Sequence, residues 1–305
     1  MKTLAIAVPT YNRSQLLDKQ LNHLFAIVEA FGSDCEIFIS NNCSTDDTAQ
    51  VIEKWSEKFA PIDFRTFHQS ENIGAIRNIA TCIRSVTAKH IWVLSDDDTV
   101  LEGALPYVMG ALNKLPDIGL ITLNFAGRDY NSKKLVYERR YPLEESLYDK
   151  QGQSVFEKCV RMEGGVGGLA LTSAQIYRTD LAQKALEEWQ AGLDNLAVQV
   201  YVTGYCAKYG GAQVTKDAFI ECSLGNHFFV DDRAVSLKMT FSDVPSVYQR
   251  LVKIGYSKEL FRQMTHRKLG EFSRVFASKK KLLKTFLKYP ITMTNVISQL
   301  LLRSV

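Results

Sequence analysis

Three consecutive carboxylates, Asp96, Asp97 and Asp98, follow the apolar run Ile91–Leu94 after a single serine, Ser95. Charges of one sign this close together repel one another unless a cation neutralises them. Carboxylate oxygens are preferred ligands of Mg²⁺ and Mn²⁺, and such an ion commonly keeps positions open for phosphate groups. The alternative is a solvated turn in which one aspartate caps the next helix. The apolar run before the triplet favours a metal site over a solvated turn. A diphosphate would be the natural further ligand of that metal.

Polar residues also follow three other apolar runs in the first half of the chain. They are Pro9, Thr10, Tyr11 and Arg13 after the first run, Asn41 and Asn42 after the second, and Asn72 to Gly74 after the third. The carboxyl ends of strands in an open α/β sheet meet at one edge, and ligands bind outside that edge. The sequence therefore predicts one crevice formed by four strand ends.

Short apolar runs alternate with amphipathic helical stretches over the first 125 residues, which is typical of a mostly parallel sheet covered by helices on both faces. The predicted strands are Leu4–Val8, Glu36–Ile39, Phe64–Phe67, Ile91–Leu94 and Leu120–Leu123. The helix after the second strand is predicted to start in a capping box of Ser44 and Asp47.

The rest of the chain is predicted to contain a strand from Leu169 and a helix over Asp194–Tyr209, and to be helical from Val244 onwards. A polar stretch from Arg128 to Lys150 suggests that a boundary between two parts of the chain lies near residue 125.

Composition excludes several classes of protein. The 305 residues are 46% hydrophobic and 23% charged, as in an ordinary globular protein. The net charge of +4 is too small to indicate a nucleic-acid partner. The six cysteines lie far apart, which argues against a disulfide scaffold or a zinc ribbon. No apolar run is long enough for a signal peptide or a membrane span, so we expect a cytoplasmic protein.

The polar segments together resemble those of family 2 glycosyltransferases of the GT-A fold, over roughly residues 2–225. The matching segments are, in chain order, Val8–Arg13, Ile39–Thr48, Asn72–Asn78 and Leu94–Asp98. The resemblance implies a Rossmann-like sheet and a metal-dependent, inverting transfer of a sugar. The donor would be a nucleotide diphosphate sugar and the acceptor a hydroxyl of a glycan or lipid-linked molecule, in the synthesis of a bacterial surface polysaccharide.

The resemblance also implies roles for individual residues. Those expected to line the nucleotide-sugar site are Pro9, Thr10, Tyr11, Arg13, Asn41, Asn72, Arg77, Asp96 and Asp97. Asp98 would be the main ligand of the Mn²⁺ or Mg²⁺ ion, with Asp96 and His227 completing the site. Tyr11 could instead pack on the first helix, Arg77 could be a solvated helix residue, and His227 could be an ordinary loop or core histidine.

One position departs from the family pattern, which usually has an aspartate where this chain has Asn41. A carboxylate can only accept a hydrogen bond from a pyrimidine N3–H, whereas an amide both donates and accepts. Asn41 could therefore serve uracil, thymine or cytosine. We expect UDP as the nucleotide, with CDP or dTDP as alternatives. Asn41 and Asn42 could equally shape a turn.

Inverting transfer needs a general base that takes the proton of the acceptor hydroxyl. In the family this base is an aspartate that opens a helix well beyond the metal motif. Asp194, ahead of the apolar helix Ala197–Tyr205, matches that place, although Leu193 replaces the family's usual glutamate. A simple N-cap is the alternative for Asp194, and the two roles are compatible.

The resemblance divides the chain into three segments. Residues 1–125 would be the nucleotide-sugar-binding half of one GT-A domain, 126–240 its acceptor-binding half, and 241–305 a helical extension. Residues 279–305 contain a basic amphipathic stretch that could lie on an anionic membrane at the inner face of the plasma membrane, or pack on the domain. Two rival functions are a nucleotidyltransferase and a non-catalytic protein that binds sugar or membrane.

Overall fold

The computed structural model describes residues 1–31, 34–60, 62–225 and 233–275, together with residues 290 and 294. The predictions for His227 and for most of the tail 279–305 lie outside these residues.

Strands and helices alternate through most of the described chain. The strands are β1 (Leu4–Thr10), β2 (Cys35–Asn41), β3 (Asp63–His68), β4 (His90–Val93), β5 (Thr99–Val100), β6 (Leu120–Asp129), β7 (Leu135–Tyr137), β8 (Leu147–Asp149), β9 (Gln175–Arg178) and β10 (Ala212–Leu224). The helices are α1 (Ser14–Val28), α2 (Thr48–Lys58), α3 (Ala75–Ser85), α4 (Ala104–Lys114), α5 (Gln153–Glu163), α6 (Gly167–Ala170), α7 (Thr179–Glu188), α8 (Val198–Gly210), α9 (Arg233–Lys238), α10 (Val244–Lys253) and α11 (Lys258–Val275). All five strands predicted for the first 125 residues are confirmed.

The strands form one sheet in the order β3-β2-β1-β4-β9-β6-β10-β5, with β7 added to β6 and β8 to β10. The first four strands in this order are parallel, and β6 and β10 are parallel to each other. Strand β9 runs antiparallel to both of its neighbours. Because β4 and β6 therefore run the same way, their carboxyl ends lie at the same edge of the sheet.

Burial shows that both faces of the parallel half of the sheet are covered. Every residue of β2 and β4 is buried, and in β1 only Pro9 is partly exposed. Successive side chains of a strand point to opposite faces, so burial along a whole strand requires that both faces are covered. The edge strand β3 is exposed along most of its length.

The boundary predicted at residue 125 falls inside β6. This strand pairs with β10 from Leu120 to Asp129 and with β9 from Leu120 to Thr122. The segments 1–125 and 126–240 therefore share one sheet. The assignment of donor binding to one and acceptor binding to the other stays a prediction.

The helical C-terminal part begins earlier than predicted, at Arg233 rather than at Val244. It packs on α8, where the Tyr256 hydroxyl donates to the carbonyl of Gly204 at 2.7 Å. A side chain at Gly204 would clash with Leu251 of α10, so glycine permits this close approach. In the described residues, no helix combines the length and the apolar character that crossing a bilayer requires.

Two local predictions were wrong. Leu169 lies in helix α6 rather than in a strand, because the Glu163 carboxylate accepts from the Gly168 N–H and holds this turn, and the strand follows at β9. Ser44 and Asp47 form no capping box. The carboxylate of Asp46 accepts from the N–H of Thr48 instead, at 3.1 Å.

Candidate active site

The end of β1 and the turn after β4 are joined by the carboxylate of Asp96. The Thr10 hydroxyl donates to Asp96 Oδ2 at 2.9 Å, and Arg13 Nη1 donates to Asp96 Oδ1 at 2.6 Å. The side chain of Asp96 is only 3% exposed. Burial raises the pKa of Asp96, and the charge of Arg13 opposes that rise. Both oxygens of Asp96 are thus already bound by residues of the first polar segment.

Arg13 also reaches the second carboxylate of the triplet. Its Nη1 lies 3.2 Å from Asp97 Oδ2, and the hydroxyl of Ser95 donates to Asp97 Oδ1. Neighbouring aspartates need a cation to neutralise them, and for Asp96 and Asp97 the guanidinium of Arg13 is that cation. This changes the expected picture of three carboxylates around one ion.

Asp98 is directed away from Arg13, towards β10. Its Oδ1 accepts from the N–H of Ser223 at 3.3 Å, and the hydroxyl of Ser173 donates to the same carboxylate. Asp98 is buried and forms no ion pair with a described residue. Burial raises its pKa to about 7, against the hydrogen bond from Ser173. A buried carboxylate without a cation is the feature of this site that fits a divalent ion.

The described residues contain no group of three His, Cys, Asp or Glu side chains with the geometry of a metal site. His227 lies outside the described residues, so its predicted metal role is untested. A divalent ion that serves phosphates is often held by one or two carboxylates, with diphosphate oxygens and water completing its shell. Asp98 fits that pattern. The metal role of Asp96 stays a prediction, and its two oxygens are engaged by Thr10 and Arg13.

The second and third polar segments are linked by asparagine side chains. Asn42 Nδ2 donates to Asn72 Oδ1 at 2.9 Å, and Asn42 Oδ1 accepts from the N–H of Ile73 at 3.0 Å. Asn72 Oδ1 also accepts from the N–H of Gly74, whose φ of 84° is in the region that favours glycine. Asn42 and Asn72 therefore join two loops. For Asn42 this corresponds to the alternative in which it shapes a turn.

Asn41 is buried at the end of β2. Its Oδ1 accepts from the N–H of Ser44 at 3.0 Å, and its Nδ2 lies 3.3 Å from Nδ1 of the exposed His68. These contacts of Asn41 match the alternative in which it shapes a turn. One proton on Nδ2 and one lone pair on Oδ1 stay unassigned, so base recognition by Asn41 remains a prediction.

Sequence analysis missed the residues that hold the first two polar segments together. Asn12 has a φ of 51°, its N–H donates to Ser44 Oγ at 2.9 Å, and its Oδ1 accepts from Thr45 N–H at 2.8 Å. Asp46 accepts from the N–H of Ser14 at 3.0 Å. Clusters of Asn, Ser and Asp in adjacent loops are the signal that could have indicated this link.

The predicted base lies against the predicted nucleotide residue Arg77. Arg77 Nη2 donates to Asp194 Oδ1 at 2.6 Å. Asp194 is 77% exposed and Arg77 46% exposed, so both side chains are accessible to a ligand. The structure therefore brings two residues together that sequence analysis had assigned to the donor and to the acceptor side. Tyr11 is also exposed, at the rim of the first polar segment.

Asp194 does not cap α8. It ends the short 3₁₀ helix Gln190–Asp194, and the following Asn195 accepts from the N–H of Ala197 with its side chain. Asn195 and the N–H of Leu196 are in turn bound by the buried Asp243, which also pairs with Lys238 at 2.8 Å. The C-terminal helical part thus holds the loop that follows Asp194, a contact that sequence analysis did not predict.

The model of glycosyl transferase family 2 matches residues 5–181, which is more than half of the chain. The chain belongs to glycosyl transferase family 2. This confirms the family predicted from the four polar segments, all of which lie within the matched residues.

Two curated bacterial relatives are similar over a shorter segment. Abequosyltransferase RfbV of Salmonella typhimurium is 32% identical over 127 residues, which are 41% of this chain and 37% of that protein. The GalNAc(5)-diNAcBac-PP-undecaprenol beta-1,3-glucosyltransferase of Campylobacter jejuni is 30% identical over 114 residues, 37% of this chain and 36% of that protein. The chain therefore matches little more than a third of each relative's length.

Solved structures share the fold over most of the family 2 chain. TarS 1–349 of S. aureus in complex with UDP-GlcNAc has a TM-score of 0.64 at 15% identity, covering 97% of this chain and 79% of TarS 1–349. Mannosyltransferase PcManGT of Pyrobaculum calidifontis, in complex with GDP-Man and Mn²⁺, has a TM-score of 0.56 at 14% identity, with coverages of 86% and 68%. The predicted GT-A fold is confirmed.

Proposed function

We propose that the protein transfers a sugar, with inversion, from a nucleotide diphosphate donor to a hydroxyl of a glycan or lipid-linked acceptor. The observation that carries this proposal is the arrangement at the carboxyl edge of the sheet. A buried aspartate that forms no ion pair with a described residue, Asp98, shares this edge with an accessible aspartate, Asp194, which is paired to Arg77.

On the donor side, Arg13 and Asp97 lie where β1 and β4 end, and Tyr11 and Arg77 stand at the rim of the same crevice. The proposed roles follow the chemistry of these groups. The aspartates accept hydrogen bonds from ribose or sugar hydroxyls, while Arg13 and Arg77 offer positive charge to phosphate oxygens. A divalent ion bound at Asp98 would neutralise charge on the departing diphosphate.

On the acceptor side, Asp194 is the proposed general base. As the acceptor oxygen attacks the anomeric carbon, a new C–O bond forms and the bond to the diphosphate oxygen breaks. The nucleoside diphosphate leaves with that electron pair, and Asp194 takes the hydroxyl proton. An exposed carboxylate suits this role because it can reach an incoming hydroxyl, and Arg77 orients it.

The similarity to the two bacterial relatives supports a place in bacterial surface polysaccharide synthesis, because one is named an abequosyltransferase and the other a glucosyltransferase of an undecaprenol-linked glycan. We propose a peripheral position at the inner face of the plasma membrane, with residues 279–305 as one contact. The nucleotide is proposed to be UDP, which is bound by a TarS structure of the same fold, with CDP and dTDP as alternatives.

A donor screen tests this proposal. UDP-, CDP- and dTDP-sugars are incubated with the protein, with Mn²⁺ or with EDTA, and released nucleoside diphosphate is measured with and without lipid-linked glycan acceptors. We expect release of one nucleoside diphosphate that depends on the metal. Release of pyrophosphate from a sugar phosphate and a nucleotide would show the nucleotidyltransferase instead, and no turnover together with no nucleotide binding would show a non-catalytic protein.

The variant Asp98→Asn sharpens the test, because it preserves the shape of the side chain and removes its charge. We expect it to abolish metal-dependent binding of the nucleoside diphosphate in a calorimetric titration. Asp117→Asn is the matched control, since Asp117 is 82% exposed and precedes β6 at the opposite edge of the sheet. Unchanged metal-dependent binding in Asp98→Asn would refute the metal role.

A further inference from the structure

The segment of residues 128–137 at the end of β6 and through β7, which we call the 128–137 hairpin, exposes three large apolar side chains. Tyr130 is 38% exposed, Leu135 45% and Val136 59%. Leu135 and Val136 are neighbours on one strand and therefore point to opposite faces, yet both are exposed. The hairpin thus presents apolar groups on both of its faces, as expected of an element that projects from the body of the protein.

Two lysines lie next to these apolar groups. Lys133 and Lys134 are exposed, and neither forms an ion pair with a described residue. The Lys133 ammonium lies 4.2 Å from the centre of the Tyr130 ring. The nearby carboxylate of Asp129 is engaged by the N–H and hydroxyl of Ser132, both at 2.7 Å. The exposed tip therefore combines apolar groups with unpaired positive charge.

The hairpin is held rigidly by its own hydrogen bonds. The N–H of Lys133 donates to the carbonyl of Asp129, and the N–H of Asp129 donates to the carbonyl of Lys134, both at 2.9 Å. At its base, Arg128 forms two hydrogen bonds to the Glu221 carboxylate, at 2.7 and 2.8 Å. Docking of a preformed hairpin costs little conformational entropy.

The hairpin is rooted beside the candidate active site. Arg128 is the register partner of Ser223 in β10, and the N–H of Ser223 donates to Asp98. A surface that contacted the hairpin would therefore lie at the same edge of the sheet as Asp98. A second copy of the chain is a poor partner for this tip, because a symmetric contact would bring the lysines of both copies together. An anionic lipid surface instead complements both the apolar and the positive groups.

We propose that the 128–137 hairpin docks on an anionic lipid bilayer. Leu135 and Val136 enter the headgroup region, and Lys133 and Lys134 contact anionic headgroups. One weak contact gives only marginal binding, and stable peripheral attachment takes two signals. The hairpin would supply an apolar contact distinct from the basic stretch at 279–305. This inference adds a second contact to the proposed peripheral position, on which it rests, and can be tested without any turnover.

Co-sedimentation with vesicles tests the proposal. The full chain is mixed with vesicles of phosphatidylcholine alone or with added phosphatidylglycerol. We expect binding to the anionic vesicles only. Two double variants, Leu135→Ser/Val136→Ser and Lys133→Gln/Lys134→Gln, should each lower the partition coefficient about tenfold or more. Each lysine near an anionic surface raises this coefficient about fivefold. The apolar side chains raise it through the area that they remove from water.

Two control variants lie away from the hairpin. Tyr209→Ser removes an apolar side chain that is 51% exposed at the end of α8, and Lys114→Gln removes an exposed lysine at the end of α4, just before β6 begins. Both should bind like the wild type. Absence of wild-type binding, wild-type binding by the hairpin variants, or an equal loss in the controls would overturn the proposal. So would a wild-type dimer that the hairpin variants convert to a monomer.

Discussion

Arg77 and Asp194 lie 117 residues apart in the sequence and form an ion pair of 2.6 Å between Nη2 and Oδ1. The pair joins the first turn of α3, which follows the polar segment Asn72–Gly74, to the loop before α8. The pair places the proposed general base directly beside the arginine that is proposed to contact the diphosphate.

The first prediction concerns this base. Asp194→Asn should lower kcat for transfer about a hundredfold to ten-thousandfold, because general-base catalysis contributes that range. Donor binding should be unchanged, since the side chain keeps its shape and its hydrogen bond to Arg77. Steady-state transfer and a nucleotide titration measure the two quantities. Asp180→Asn is the control, because Asp180 is also an exposed aspartate paired to an arginine. Full activity in Asp194→Asn would remove the base assignment.

Arg77→Ala tests the other half of the pair. An exposed ion pair contributes only about 0–1 kcal/mol to stability, so the unfolding temperature should hardly change. If Arg77 only orients the base, kcat falls and the KM for donor stays the same. If Arg77 also binds the diphosphate, the KM for donor rises as well. An unchanged kcat and KM would show that Arg77 is a solvated helix residue.

Arg13→Ala should destabilise the protein by about 2 kcal/mol, because it leaves the buried Asp96 carboxylate without its cation. The figure is below that for a fully buried pair, since the Arg13 side chain is 39% exposed. Urea unfolding measures the loss. The double variant Arg13→Ala/Asp96→Asn removes the more deeply buried of the two charges that Arg13 neutralises and leaves only Asp97 without its cation, so part of the stability should return. A double variant as unstable as Arg13→Ala would contradict this account.

Asn41→Asp should change the preference among nucleotides. A carboxylate accepts from the N3–H of uracil but cannot donate to the N3 of cytosine. UDP binding should therefore persist while CDP binding weakens, as titrations of the two nucleotides would show. His68→Gln serves as a control for altered packing beside Asn41, 3.3 Å away. An unchanged ratio of the two affinities would indicate that residue 41 acts only on the turn.

His90 makes stability depend on pH. Burial lowers the pKa of its ring from the ordinary 6.5, and among the described residues its Nδ1 has no hydrogen-bond partner. The unfolded chain therefore binds a proton more readily than the folded one as the pH falls through about 6.5. The contribution of the neutral His90 ring to folding stability is therefore fully present above that pH and is lost as the pH falls below it.

His90→Gln keeps a donor for the carbonyl of Ile118, which the His90 ring contacts at 3.1 Å, and does not titrate in this range. The stability advantage of the wild type over this variant should shrink between about pH 7.5 and 5.5, measured by urea unfolding. The raised pKa of Asp98 changes stability with pH in the opposite direction. This effect is the same in the wild type and in His90→Gln, so it cancels in the difference between the two proteins.

The predictable part of this protein is the part that local patterns encode. Apolar runs such as Leu4–Val8 and Ile91–Leu94, which alternate with amphipathic helical stretches, predict buried parallel strands, and the polar residues after them are then expected at the carboxyl edge. The alternation of runs and helices then specifies a mostly parallel sheet, and four ordered segments identify the family.

Pairings between distant side chains could not be predicted in this way. Nothing in the local pattern of the aspartate triplet shows that Asp96 and Asp97 are bound by Arg13 while Asp98 faces Ser223. The capping box at Ser44 failed for the same reason, because its hydroxyl accepts from Asn12, 32 residues away in the sequence.

The residue types at the strand ends, and therefore the chemistry available to this protein, were determined by the sequence alone. The direction of each carboxylate, the pairing of Arg77 with Asp194 and the exposure of the 128–137 hairpin were decided only by the tertiary structure. The physical reason is that strand and helix periodicity depends on neighbours within a few residues. A side chain's charge partner depends on where the whole chain places groups that lie tens of residues away.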